Sequence, residues 1–162
     1  MSWSGKKVLV TGAAGFIGSH LSEALVELGA SVSAFIRYNG RDDWGNLDLL
    51  PREKRAAVEI LAGNVEDPQF VDVAVKGKDV VFHLAALIGI PYSYIAPLSY
   101  VRTNVEGTLN VLAAARCWGT ERVVSTSTSE TYGTALYAPI DERHPMQAQS
   151  LSLILDAELN HV

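Results

Sequence analysis

The chain has one cysteine, Cys117, in 162 residues. That rules out a disulfide within the chain, and with it the small secreted scaffolds stapled by several, and it fits a reducing compartment. Excess positive charge is missing too. Thirteen Lys and Arg stand against 18 Asp and Glu, a formal net charge of −5. Neither nucleic acid nor an anionic membrane surface is then expected as the main partner. Long apolar runs are also absent. The longest, over 80–90, contains His83 and is too short to cross a bilayer. The apolar stretch after Lys6 and Lys7 could imitate a secretory signal, but glycines break it. No His, Cys or carboxylate cluster has metal-ligand spacing, so no metal is expected. What remains is a cytoplasmic, globular chain of one domain, 48% hydrophobic and long enough to bury a core.

Strand and helix patterns alternate along it. Short apolar runs at 8–10, 32–36, 58–61, 79–84 and from Val123 read as five strands. Helical spacing follows the first run up to Gly29, covers 68–75, and fills 97–118, where Gly119 stops it. Residues 37–55 read as a polar loop with a short helix near 47–50, and 88–94 as a loop. Such alternation predicts an α/β fold, a Rossmann-like doubly wound parallel sheet. Right-handed crossovers give it the order 3-2-1-4-5. A ligand would then lie across the carboxyl ends of the strands, where the order reverses between the first and the fourth.

The first strand runs into Thr11-Gly12-Ala13-Ala14-Gly15-Phe16-Ile17-Gly18 and then into a helix. Strand, glycine turn and helix in that order make a dinucleotide-binding loop. Gly12 permits the tight turn, Gly15 lets the backbone approach a pyrophosphate, and Gly18 lets helix and strand pack closely. The N–H groups of Phe16, Ile17 and Gly18 would face the phosphates at the positive end of the helix dipole. The second strand ends in Arg37, with no acid before Asp42. A guanidinium suits a 2′-phosphate, which favours NADP slightly over NAD. By itself His83 reads as a hydrogen-bonded core histidine.

The glycine spacing, His83-Leu84-Ala85-Ala86, the helix segment from Asn104 to Asn110, and Thr128-Ser129-Glu130 before Tyr132-Gly133 resemble the extended short-chain dehydrogenase/reductase family. That family holds nucleotide-sugar epimerases and dehydratases. The resemblance implies that Asn64 and Val65 lie beside the adenine, Leu84, Ala85 and Ala86 beside the nicotinamide ribose, and that Asn104 orders the active site. It implies that Thr128 binds the reacting sugar hydroxyl, Glu130 takes the C5 proton and Ser129 assists. Ser between Thr and Glu is similar to the GDP-mannose and UDP-N-acetylglucosamine 4,6-dehydratases. There a hydride passes from sugar C4 to the dinucleotide, water is lost across C5–C6, and the hydride returns to C6. An epimerase fragment is disfavoured by Glu130. Without the resemblance, 125–130 is a polar strand-end loop and Glu130 a solvated carboxylate. Residues 141–144 read as an exposed loop, and 52–55 as a solvated helix or turn face.

The family's Tyr-x-x-x-Lys pair, which moves the proton at the sugar hydroxyl, has no counterpart. The last lysine is Lys78, and no tyrosine follows Tyr137. The expected organisation is a dinucleotide-binding domain over 1–150 and an unrelated tail, a short helix, over 151–162. A frameshift, a premature stop or a natural half-length protein would each produce that end. Such a chain is expected to bind cofactor and to turn over poorly or not at all. A non-catalytic dinucleotide sensor or interaction module is the alternative. The open fifth-strand edge and the apolar tail are where a homodimer would form.

Overall fold

The computed structural model describes residues 2–147, Glu130 by its backbone alone; the expected tail over 151–162 lies outside the described residues. Two compact units emerge. One takes Met1–Ala85 and Glu106–Thr126, the other Ala86–Val105 and the chain from Ser127 onward.

The first unit holds the sheet. Strands β1 (Lys7–Thr11), β2 (Ser31–Arg37), β3 (Val58–Gly63), β4 (Val80–His83) and β5 (Arg122–Ser125) pair only in parallel, in the order β3-β2-β1-β4-β5. That is the order expected from the sequence. β1 lies at the centre with Val8, Leu9 and Val10 fully buried, which is why it reads as an unbroken apolar run. Side chains alternate across it. Val8 and Val10 join Val32, Ala34 and Ile36 under Leu25 of α1 (Phe16–Glu27). Leu9 and Phe35 pack on the other face with Val71, Ala74 and Val75 of α3 (Pro68–Val75) and with Val111, Ala114 and Ala115 of α6 (Gly107–Trp118). Both faces are covered, so the sheet is doubly wound.

Local chemistry sets the helix ends. Asp67 caps α3, its carboxylate accepting from the N–H of Gln69 at 3.0 Å and of Phe70 at 3.3 Å, with Pro68 in the first turn. Gly119 takes the left-handed conformation that ends α6 (φ +67°). The amino ends of the strands are pinned by charge. Lys6 Nζ lies 2.8 Å from a Glu121 carboxylate oxygen, and the Lys7 N–H donates to Asp79 at 2.8 Å. β5 closes the sheet among the described residues, and Val124 is 40% exposed there.

Four local readings change. In the 37–55 segment the short helix expected near 47–50 is a 3₁₀ turn over Gly45–Leu49, and the solvated face read over 52–55 is a helix, α2 (Arg52–Ala56), directly after Pro51. Residues 88–94 are not all loop, because α4 covers Ile90–Ile95. Pro91 in its first turn supplies a helical φ, and the Ser93 hydroxyl donates to the Ile90 carbonyl at 2.7 Å. The long helical run from Pro97 to Trp118 is three pieces: α5 (Pro97–Tyr100), a π-helical stretch over Val101–Glu106, and α6. Finally, Asp141, Glu142 and Arg143 are exposed as expected, but His144 is buried. Its Nε2 accepts from the Leu136 N–H at 3.0 Å, and its Nδ1 lies 3.0 Å from the Pro145 carbonyl.

Candidate functional site: a dinucleotide cradle at the carboxyl rim

At the carboxyl end of β1 the chain turns through Gly12 at φ +68°. A Cβ on Gly12 would come within 2.9 Å of the Leu84 carbonyl group and the Ala85 nitrogen, the backbone leaving β4. Gly12 is therefore seated in the crevice between the two central strands, and only hydrogen fits there. Gly18 is as closely packed, since a Cβ there would overlap the Gly12 carbonyl. Gly15 is different: it is exposed, its nearest obstruction the Gly12 oxygen at 3.3 Å. The three glycines thus divide their work as the spacing implies. Two permit backbone packing, and one keeps a surface clear.

That surface is the start of α1. Gly15 is its N-cap in an extended conformation, with no side-chain cap and no acid in the first turn. The first N–H groups of a helix have no partner within it. Here they open beside Phe16 and Ile17, which are 73% and 62% exposed. His20 holds Phe16 in place, its Nδ1 2.8 Å from the Phe16 carbonyl and its ring 4.7 Å from the phenyl ring. An uncapped helix terminus with its dipole facing solvent, on a turn where side chains are sterically barred, suits a diphosphate. The residues present fit a dinucleotide.

Thr11, His83 and Thr108 brace the crevice from below. Thr11 Oγ1 accepts from the N–H groups of Leu84 and Ala85, both at 3.1 Å, and lies 2.8 Å from His83 Nδ1. His83 Nε2 lies 3.0 Å from Thr108 Oγ1. His83 is the hydrogen-bonded core histidine that the sequence suggests, and burial pushes its pKa down to about 4. It is neutral at pH 7. Thr11 and Thr108 both stand inside the sequence motifs, but nothing in those motifs marks them for this task.

At the end of β2, Arg37 is exposed and pairs in register with Gly63 of β3. Beyond β3, Asn64 is exposed, its side chain accepting from the Glu66 N–H at 3.2 Å, while Val65 is buried in the core below α3 and α6. The Val65 carbonyl accepts from Asn110 Nδ2 at 3.0 Å. Asn110 is a third residue left without a role by sequence alone. The first unit therefore gathers Gly12, Gly15, Phe16, Ile17, Gly18, Arg37, Asn64, Val65, Leu84 and Ala85 at one rim.

The remaining candidates fall in the second unit. Ala86 is exposed. Asn104 is buried in the π-helical stretch, where Oδ1 accepts from the Leu87 N–H at 2.8 Å and Nδ2 donates to the Leu87 carbonyl at 3.0 Å. It fixes the backbone just past Ala86. Tyr100, also buried, donates its hydroxyl to the Gly89 carbonyl at 2.5 Å and secures the same segment. Thr128 is half-buried, and its carbonyl accepts the Thr131 hydroxyl at 2.8 Å, which starts a 3₁₀ turn over Ser129–Tyr132. Ser129 is exposed on that turn. Glu130 stands beside it, its side chain outside the described residues. Among the described residues, no group of three or more His, Cys, Asp or Glu could hold a metal ion, and no helix is long and apolar enough to cross a membrane.

Comparison with known proteins agrees with this geometry. A family model described as GDP-mannose 4,6 dehydratase matches residues 9–151. A UDP-N-acetyl-alpha-D-glucosaminuronate decarboxylase of Bacillus cytotoxicus is 37% identical over 146 residues, 85% of this chain and 42% of that protein. Among solved structures, a UDP-N-acetylglucosamine 4-epimerase from Methanobrevibacter ruminantium superposes with TM-score 0.83 at 30% identity, over 96% of this chain and 48% of that one. The UDP-glucose 4-epimerase of Thermus thermophilus, solved with NAD, gives 0.81 at 30% identity, over 96% and 49%. The chain spans less than half the length of these relatives. By its glycine turn, its sheet order and these matches, it belongs to the GDP-mannose 4,6-dehydratase family, among the short-chain dehydrogenase/reductase-type nucleotide-sugar epimerases and dehydratases.

Proposed function

We propose that this chain is the dinucleotide-binding part of an enzyme that remodels a nucleotide sugar, and that the 162 residues alone bind cofactor without efficient turnover. The observation that carries this reading is the rim itself: Gly12 seated on Leu84 and Ala85, with the uncapped, exposed start of α1 beside it. The N–H groups of Phe16, Ile17 and Gly18 would hold the diphosphate. Asn64 and Val65 would border the adenine, and Leu84, Ala85 and Ala86 the nicotinamide ribose. Asn104 would order the backbone beside the reacting centre. When bound, the dinucleotide supplies a hydride acceptor for a sugar carbon.

Thr128 would accept or donate at the sugar hydroxyl, Glu130 would take the C5 proton as base, and Ser129 would assist. A 4,6-dehydratase is the favoured activity of the whole enzyme, and Glu130 is the residue that favours it. The 162 residues contain no Tyr-x-x-x-Lys pair, and a missing proton-transfer group would lower the rate of this chain alone by about 10² to 10⁴. The second reading is a dinucleotide-sensing module with no turnover. Arg37 favours NADP over NAD, whereas the Thermus thermophilus relative was solved with NAD.

Calorimetric titration of the purified chain with NAD and NADP tests the proposal. Saturable binding of either supports it, and no binding of both overturns it. Incubation of the loaded chain with GDP-mannose or UDP-N-acetylglucosamine, followed by mass spectrometry for loss of water, should show no product. Efficient dehydration would overturn the claim of incomplete catalysis.

A further inference from the structure

The segment between β2 and α2 folds back on itself through one side chain. Asn39 Oδ1 accepts from the N–H of Arg41 at 3.0 Å and of Asp43 at 3.2 Å, and Asn39 Nδ2 donates to the Asp43 carbonyl at 2.6 Å. Two carboxylates continue the pattern. Asp43 accepts from the Gly45 N–H at 2.7 Å, and Asp48 from the Trp44 N–H at 3.0 Å. Arg55 of α2 fastens the far side, with its guanidinium 4.4 Å from the Trp44 ring centroid and Nη2 2.8 Å from Asp48.

These bonds deliver a single backbone group. The Asn46 N–H donates to the Ala14 carbonyl at 2.9 Å. The other end of that same peptide is occupied as well, because the Gly15 N–H donates to the Gly12 carbonyl at 3.0 Å. The Ala14–Gly15 peptide is therefore held at both ends, immediately before the exposed N–H groups of Phe16 and Ile17. The approach depends on Gly45. It has φ +60°, and a Cβ there would lie 2.7 Å from the Ala14 oxygen and 3.2 Å from the Ala14 Cβ.

We propose that the 39–48 loop is a positioning element for the diphosphate site: it clamps the Ala14–Gly15 peptide and so fixes the direction of the amides that follow, with Gly45 as the residue that permits the contact. The physical gain is preorganisation. Amides already aimed at an anion need no ordering when it arrives, and that cost is subtracted from affinity. The inference rests on the reading of the glycine turn as a diphosphate cradle.

The test compares wild type with Gly45→Ala and Asn39→Ala. Val71→Ala, which opens the core on the opposite sheet face, serves as a control for lost stability alone. Calorimetry with NAD and with ADP reads affinity, and amide hydrogen exchange at Gly15 without ligand reads the clamp directly. Gly45→Ala is expected to weaken NAD and ADP by the same factor, about tenfold, and to speed exchange at Gly15. Asn39→Ala, which adds no atom to the contact, should shift both readouts in the same direction. Val71→Ala should lower the Tm without changing affinity. Unchanged affinity and exchange in both loop variants overturn the proposal, as does an equal loss of affinity in Val71→Ala. If wild type binds neither NAD nor ADP, the cradle reading itself fails, while exchange at Gly15 still reports on the clamp.

Discussion

The hydroxyl of Thr11 stands 2.8 Å from Nδ1 of His83 while accepting two backbone N–H groups, from Leu84 and Ala85. A hydroxyl has one proton and two lone pairs. With both lone pairs engaged, the Thr11 proton points at Nδ1, so His83 carries its own proton on Nε2 and donates it to Thr108. One buried imidazole therefore links β1 and α6 beneath the glycine turn. ¹⁵N NMR of the ring should show the Nε2–H tautomer, and an Nδ1–H signature would contradict the arrangement.

Acid should weaken the fold through this residue. The folded-state pKa of His83 is depressed from 6.5 to about 4 by burial. Below 6.5 the unfolded chain takes up a proton that the folded chain refuses, so stability is full above that pH and falls as pH drops towards 4. The integrated loss is of order 3 kcal/mol. Urea denaturation between about pH 7 and pH 4 should follow that slope, and His83→Gln should flatten it. An equal slope in the variant would place the acid sensitivity elsewhere.

Alanine at Gly12 meets two obstacles, a left-handed backbone and the Leu84–Ala85 main chain. Together they should cost roughly 2–4 kcal/mol of stability and strongly reduce dinucleotide binding. Gly18→Ala should behave similarly, because its Cβ would press on the Gly12 carbonyl. Denaturation midpoints and calorimetry read both effects.

Arg37 is the residue proposed to discriminate between the two cofactors at the adenosine end. Arg37→Ala should lower NADP affinity about tenfold while NAD changes by less than about twofold. A parallel loss for both cofactors would mean that Arg37 does not meet a 2′-phosphate.

Two asparagine amides hold backbone. Asn110→Ala strands the Val65 carbonyl, and Asn104→Ala strands both the N–H and the carbonyl of Leu87. An unsatisfied buried group costs about 1–3 kcal/mol. Asn104→Ala should therefore be the more destabilising, measured by urea titration, and Asn104→Asp should recover only the part carried by Oδ1.

What could be read directly from the sequence was whatever is local or forced by burial. The fully buried β1 has to be a continuous apolar run, and the glycines at 12, 15 and 18 act within one turn. Helix α3 announces both its cap and its first-turn proline. Other features depended on distant partners. Nothing near Ile90 outweighs the aromatic and β-branched residues that disguise α4. The apolar residues over 97–118 give no sign of the π-helical stretch at 101–106, and beyond it the buried face of α6 is Thr108, Val111, Ala114 and Ala115 while Leu109 is 61% exposed. His144 sits in a polar segment, and the Leu136 N–H together with the rings of Tyr132 and Tyr137 takes it inside. The contact between Asn46 and Ala14 is main chain to main chain, so no side chain could advertise it.

A parallel sheet also separates the ends of a molecule. Lys6, Asp79 and Glu121 gather where the strands begin, and the glycine turn lies where they finish, roughly 15 Å away for strands of this length. A fluorophore or surface tether coupled near Glu121 would therefore sit a strand's length from the amides proposed to hold the diphosphate, and would report on them without touching them.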